Sequence, residues 1–236
     1  MSASERRESA RTAVVWEALG SLLDQPGLDV LDIGGGTGGF AVRVAGLGHR
    51  VTVVDPSPDA LAALARRARE DGVEVTGQQG DVGSLLELAG PAGADVVLCH
   101  GVLEVVDDAA AALATIREVL RPGGRLSLLV AQRHAAVIAR AMAGHVAQAL
   151  ALLDDPDAHG RTGRRFTVDD VTELLTGAGF EVGSVHGIRV FADLVPGALL
   201  DLEPGTTGAL LELERAVAER AEYLPLATQL HVIAAR

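Results

Sequence analysis

Two features of this chain could do chemistry together. One is the glycine-rich stretch Val30-Leu31-Asp32-Ile33-Gly34-Gly35-Gly36-Thr37-Gly38-Gly39-Phe40. The other is Asp55, which closes the apolar run Val51-Thr52-Val53-Val54. An apolar run ends in a glycine turn, a helix follows, and a second apolar run ends in an acid. The spacing is that of a strand–helix–strand nucleotide site, with the acid about 20 residues past the glycines. Glycines let a ligand approach the backbone, and the start of the next helix offers N–H groups with no partner inside the helix. The acid can accept hydrogen bonds from both ribose hydroxyls. Alone, the glycines also fit a tight turn. Alone, Asp55 also fits a local cap before Ser57-Pro58, which read as N-cap and first residue of a helix. Together they point to a nucleoside cofactor.

Asp32 narrows the cofactor. It stands two residues before the first glycine, where a carboxylate would repel the pyrophosphate of NAD(P). It can hold an ammonium through water or backbone. S-adenosyl-L-methionine, with an amino-acid tail and no phosphate, suits such a turn.

These residues need a scaffold, and the sequence outlines one. Residues 5–24 read as an amphipathic helix with Val14, Val15, Ala18, Leu19 and Leu22 on one face, ended by Pro26-Gly27. Strands are expected at 29–33, 50–54, 73–78, 95–100 and 125–130. The helix after the glycine turn runs from about Gly38 to Gly48. Others are expected at 58–71, closed by Gly72, and at 109–120. Within 95–100 the run Val96-Val97-Leu98-Cys99 is wholly apolar, as a buried parallel strand should be. Arg121-Pro122-Gly123-Gly124 is a sharp turn into the fifth strand. The strand–helix rhythm then breaks. Residues 135–153 read as one long alanine-rich helix, 154–165 as a polar loop, and 167–176 as a helix capped by Thr167. Strands at 181–186 and 229–235 flank a helix at 210–222. One domain over 1–236 is expected, with 1–24 as a helical cap and 131–166 inserted above the strand ends where α/β ligands bind.

Composition agrees with this outline. Nearly half of the 236 residues are apolar and only 3% are aromatic, so aliphatic side chains and alanine must fill the core. No apolar run approaches the roughly 18–20 residues that span a bilayer, and no signal peptide is visible, so no membrane partner and a cytoplasmic location are expected. Cys99 is the only cysteine, which excludes an internal disulfide and a cysteine metal cluster. All 20 basic residues are arginine. The formal net charge of −12 argues against broad nucleic-acid binding but allows a local arginine patch.

The glycine motif at 32–38, Asp55, Gly80-Asp81 and Leu120-Arg121-Pro122-Gly123-Gly124 together resemble class I S-adenosylmethionine-dependent methyltransferases. The resemblance implies an α/β, Rossmann-like fold with a seven-stranded, mostly parallel sheet and helices on both faces. It also implies a cofactor site of Asp32, Gly34, Gly35, Gly36, Asp55, Gln79, Gly80, Asp81 and His100, with Gly80-Asp81 contacting adenine and no metal. Further stretches lie outside these motifs: Arg11-Thr12-Ala13-Val14-Val15-Trp16, His100-Gly101-Val102-Leu103-Glu104, Gly187-Ile188-Arg189-Val190-Phe191-Ala192-Asp193, Leu210-Leu211-Glu212-Leu213-Glu214 and the tail 230–236. They resemble the family of bacterial tRNA 5-carboxymethoxyuridine methyltransferases, which esterify the side-chain carboxylate of a modified wobble uridine. That implies tRNA as partner. It also implies Arg11 on the cofactor's carboxylate.

Arg189 is the expected acceptor-binding residue, because a guanidinium holds a carboxylate bidentately where lysine does not. An ion pair with Asp193 is its plain structural alternative. His100 and His134 are the candidate bases for an acceptor of high pKa, whereas a carboxylate acceptor needs none. The loop 154–165 sets acids beside arginines where the family carries lysines. A small-molecule oxygen or nitrogen acceptor therefore stands as the alternative partner. A non-catalytic nucleotide-binding module is the alternative of a different class.

Overall fold

The computed structural model describes residues 3–154, 163–196 and 205–236, with 3–11 and 154 as backbone alone. A seven-stranded sheet carries the chain. In sequence order the strands are β1 (Asp29–Ile33), β2 (Arg50–Asp55), β3 (Val75–Gln79), β4 (Ala94–His100), β5 (Leu120–Ala131), β6 (Glu181–Ile188) and β7 (Gln229–Ala235). In space they run β3-β2-β1-β4-β5-β7-β6. β1 pairs in parallel with β2 and β4, and β2 in parallel with β3. The order therefore reverses at β1, and the crevice beyond the carboxyl ends of β1 and β4 is where such sheets take ligands.

The helices are α1 (Ala3–Leu22), α2 (Ala41–Gly46), α3 (Pro58–Glu70), α4 (Leu85–Ala89), α5 (Ala109–Val119), α6 (Arg133–Met142), α7 (Val146–Asp154), α8 (Val168–Gly177) and α9 (Thr206–Val217). The punctuation expected of the sequence is in place. Ser57 accepts from the Ala60 N–H, with Pro58 at the first helical position of α3. Asp108 accepts from the Ala111 N–H to start α5. Val96, Val97, Leu98 and Cys99 in β4 are buried, as a central parallel strand requires.

Three expectations are corrected. The single helix over 135–153 is two helices, broken at Gly144, whose φ of +79° ends α6. Glycine takes that left-handed turn without a Cβ penalty, and alanine-rich flanks do not override it. The fifth strand begins at Leu120, so Pro122-Gly123-Gly124 lies inside it. The helix placed at 210–222 begins at Thr206 and ends at Val217.

Two compact units are distinguished by their contacts. One comprises Leu22–Leu128, Thr172–Gly183 and Ile233–Arg236, and contains β1 to β4 with α2 to α5. At its base Asp29 accepts from Arg50 Nε at 2.6 Å and Arg121 Nη2 at 2.8 Å, and Asp95 takes the other arm of Arg121 at 2.6 Å. These arginines hold the Asp29 carboxyl below its ordinary pKa. The other unit comprises Met1–Ser21, Leu129–Val171 and Ser184–Val232. Within it, residues 131 and 166 are tied together: Phe166 N–H donates to the Ala131 carbonyl at 2.9 Å and Arg133 N–H to the Phe166 carbonyl at 3.0 Å. Buried Gln132 starts α6 by accepting from the Ala135 N–H at 3.1 Å. Among the described residues, no helix is long and apolar enough to cross a membrane.

Candidate functional site

The first unit holds a cavity of about 710 Å³ at the carboxyl ends of β1, β2 and β4. That is room for a nucleoside-sized ligand. Gly34, Asp55, Gly80, Asp81 and His100 all line it, as the sequence anticipates. Val82, Val102, Val105, Ala111 and Thr115 add walls that sequence reasoning did not single out. Val82, Val102 and Val105 were signalled as apolar residues following strand ends, which read equally well as core; Ala111 and Thr115 lie inside α5 and carried no such signal.

The glycine turn is shaped by two local constraints. Gly34 has a φ of +64°, and a Cβ there would come 2.8 Å from the Val102 side chain. A Cβ on Gly35 would come 2.5 Å from Asp32 Oδ2, so the Asp32 carboxyl lies against the backbone of this turn. Asp32 is buried, as is Asp55, whose charge acts on it. Burial first, and the neighbouring Asp55 second, push the Asp32 carboxyl from 3.8 up to about 7.

Asp55 is held in place by its own surroundings. Its Oδ2 accepts from the Gly36 N–H and its Oδ1 from the Ser57 N–H, both at 2.9 Å. Each carboxylate oxygen has two lone pairs, so both oxygens keep accepting capacity after these bonds form. A rigid acceptor pair at the end of β2 suits two neighbouring hydroxyls. The local cap and the ligand role are therefore compatible in one side chain.

Gly80 sits where a Cβ would come 2.5 Å from Ser84 Oγ and 2.7 Å from Leu88 Cδ1, which keeps this rim of the cavity bare. Asp81 makes a reciprocal capping box with Ser84 at the start of a short 3₁₀ turn, Val82–Ser84. One of its carboxylate oxygens serves that cap. Gln79 is exposed and donates to the Pro56 carbonyl at 3.3 Å; it borders the site without lining it.

His100 is fixed as well. Its Nε2 is 2.9 Å from Ser127 Oγ, and its ring meets Phe40 edge-on with centroids 4.8 Å apart. Burial lowers its pKa from 6.5 to about 4. At neutral pH the ring is uncharged and a weak base. His134, the other candidate base, is exposed at the start of α6, with Nδ1 3.4 Å from Gln132 Nε2.

Arg189 belongs to the second unit and follows β6 directly. Its Nε lies 3.4 Å from Asp193 Oδ2, so the ion pair with Asp193 is present. The two side chains keep 25% and 28% of their area exposed. The pair is neither sealed in the core nor fully solvated. The Arg189 backbone is left-handed, with φ at +59°. A non-glycine residue there costs about 1 kcal/mol and occurs where surrounding contacts enforce it. Phe191 and Tyr223 form an edge-on aromatic pair beside it, packed on Val190, Val217 and Ala227. The Arg11 side chain and the acidic–basic loop from 155 to 162 lie outside the described residues. Among the described residues no cluster of histidine, cysteine or carboxylate side chains could hold a metal ion.

Comparison with known proteins places this geometry. Residues 31–126 match the family model described as a methyltransferase domain. The chain is 33% identical over 235 residues to the tRNA 5-carboxymethoxyuridine methyltransferase of Escherichia coli O157:H7, an alignment covering 95% of this chain and 87% of that protein. Among solved structures it is similar to an S-adenosylmethionine-dependent methyltransferase from Mesorhizobium loti. The TM-score is 0.64 and the identity 20%, over 98% of this chain and all of the other. It is also similar to magnesium protoporphyrin IX methyltransferase from Synechocystis, crystallised with S-adenosylhomocysteine. There the TM-score is 0.61 and the identity 19%, over 98% and 83% of the two chains. The structural likenesses bear on fold; the near full-length similarity in sequence bears on family.

Proposed function

We infer the reaction from one premise: the chain belongs to the S-adenosylmethionine-dependent methyltransferases. We propose that its acceptor is a carboxylate, that of 5-carboxymethoxyuridine at the wobble position of tRNA, and that the product is the methyl ester. A tRNA acceptor would place the protein in the cytoplasm.

The residues around the cavity fit the cofactor. The glycine turn is bare where a Cβ would collide, Asp55 offers two fixed acceptors, and Asp32 lies buried against the turn. When bound, S-adenosylmethionine supplies an electrophilic methyl group on a sulfonium. Asp55 would hold the ribose hydroxyls. Asp32 would answer the ammonium through the turn it underlies, and Gly80, Asp81 and Val82 would border the base. Arg11 is assigned to the cofactor carboxylate by resemblance.

The observation that carries the acceptor reading is the state of His100. A base for a neutral oxygen or nitrogen acceptor should have a pKa near the working pH. His100 is held on Ser127 with a pKa of about 4. An ionised carboxylate attacks without giving up a proton, so this chain needs only to bind and align it. Alignment alone can lower a barrier by several kcal/mol, and by about 7–11 in the best cases. Arg189 is the residue proposed to do this. Asp193 occupies its Nε side, and the Nη pair would take one edge of the acceptor carboxylate. The similarity to the Escherichia coli enzyme supports the same acceptor.

The test is methyl transfer from S-adenosylmethionine to tRNA bearing 5-carboxymethoxyuridine, with a base-labile ester as product. Transfer to a ribose hydroxyl or ring nitrogen instead would refute the reading.

A further inference from the structure

Behind Arg189 lies a carboxylate that the methyl-transfer reaction does not itself use. Glu214 in α9 is only 1% exposed. It accepts three consecutive backbone N–H groups: Val190 on Oε2 at 3.0 Å, and Phe191 and Ala192 on Oε1 at 2.8 and 2.7 Å. Three N–H groups converging on one anion form a concave nest, which compensates a charge that burial would otherwise penalise heavily. The loop they belong to begins at Arg189. The carbonyl of the same peptide, that of Arg189, accepts from Thr228 N–H at 3.4 Å and Thr228 Oγ1 at 3.1 Å. The peptide group between Arg189 and Val190 is thus held at both its ends, its N–H by Glu214 of α9 and its carbonyl by Thr228 just before β7. The left-handed φ of +59° sits where the chain passes from the end of β6 to this fixed peptide. A residue in that conformation points its side chain in a direction that neither strand nor helix geometry gives.

We infer that Glu214 is a positioning residue for Arg189: by gripping the three N–H groups that follow, it holds Arg189 left-handed and so aims its guanidinium. The inference rests on the reading of Arg189 as the acceptor-binding group. It adds a specific chemical requirement, a buried anion in α9, to a loop whose sequence alone names only the arginine. Both oxygens are needed, because Oε1 serves two donors and Oε2 the one nearest Arg189.

Glu214→Gln isolates that last contact. With its amide oxygen at the Oε1 place, glutamine keeps Phe191 and Ala192 and turns a donor toward the Val190 N–H. The test is a double-mutant cycle with Arg189→Asn, since asparagine tolerates a left-handed backbone but lacks the guanidinium. Steady-state kinetics are measured on tRNA bearing 5-carboxymethoxyuridine, with S-adenosylhomocysteine affinity as control. Glu214→Gln is expected to lower kcat/KM for the tRNA on the order of 10- to 100-fold, the cost of misaligning a bound reactant. The KM for S-adenosylmethionine should stay unchanged. In the Arg189→Asn background the same substitution should cost nothing further. An equal loss in both backgrounds would make Glu214 a structural residue only and overturn the inference. So would a wild-type Glu214→Gln enzyme beside an impaired Arg189→Asn. An unimpaired Arg189→Asn would overturn both the inference and the reading beneath it. If Glu214→Gln does not fold, Glu214→Asp carries the same cycle, its charge kept but one methylene short of the nest.

Discussion

Replacing Asp32 by asparagine should change how stability depends on pH, and the size of the change follows from the structure. The Asp32 carboxyl lies buried under the glycine turn beside Asp55, and its pKa is raised from 3.8 to about 7. An unfolded chain would ionise it at about 3.9. Between roughly pH 4 and 7 the folded protein holds a proton that the unfolded chain has lost. Stability must therefore fall as pH rises through that window and level off above it. At about 1.4 kcal/mol for each pH unit of displacement, the loss by pH 8 is up to about 4 kcal/mol. Asparagine keeps the shape and carries no charge. Urea unfolding of both proteins at pH 5 and pH 8, by circular dichroism, reads the difference directly. The advantage of Asp32→Asn over wild type should grow by a few kcal/mol between the two pH values. A difference that stays constant with pH would show that Asp32 is ionised in the folded state throughout, and the electrostatics argued for the turn would be wrong. The same variant should bind S-adenosylmethionine more weakly above pH 7, where wild-type Asp32 is an anion facing a cationic ligand.

Other expectations concern single residues. Asp55→Ala should weaken S-adenosylhomocysteine by about 1.5–3 kcal/mol in calorimetry, the range for a hydrogen bond to a charged group. Gly35→Ala should cost on the order of 1–3 kcal/mol of stability and weaken the cofactor, because its Cβ would press on Asp32 and on Val53 3.0 Å away; thermal melting checks the first part. Arg189→Lys should lose acceptor affinity or rate with cofactor affinity intact, since an ammonium does not reproduce the planar fork; kinetics with varied tRNA will show it. The rate should be nearly flat from about pH 6 to 8, well above a carboxylate's pKa, in wild type and in His100→Ala alike. A steep rise through about 6.5 that disappears in His100→Ala would mean histidine base catalysis instead.

Much of the cavity at the ends of β1, β2 and β4 was legible because its determinants are local. A glycine that must be bare, an acid at a strand end and a Ser-Pro helix start each act within a few residues of themselves. Asp32, Asp55 and Ser57 could therefore be read from spacing, and Gly80 from the family resemblance. The break between α6 and α7 carries a local signal too, Gly144, set in alanine-rich flanks that favour a continuous helix. The grip of Glu214 on the Val190 loop was not legible, because its partners are 22 to 24 residues away and are backbone groups with no sequence signature. One trace existed. Leu210, Glu214 and Val217 share one helical face, and two of the three are apolar core residues. A glutamate at a core position must find donors. The left-handed Arg189 was hidden for a related reason. Glycine usually announces such a turn, whereas here an arginine adopts it among tertiary contacts.

The most direct measurement is nucleoside mass spectrometry of tRNA incubated with the protein and S-adenosylmethionine. The tRNA should come from a strain lacking its own wobble-uridine methyl esterification. The account predicts that 5-carboxymethoxyuridine gains one methyl group, that mild alkali removes it, and that Arg189→Asn slows the gain while still binding S-adenosylhomocysteine. An unchanged wobble nucleoside under conditions where the protein binds S-adenosylhomocysteine, or an added methyl that survives alkali, would contradict it.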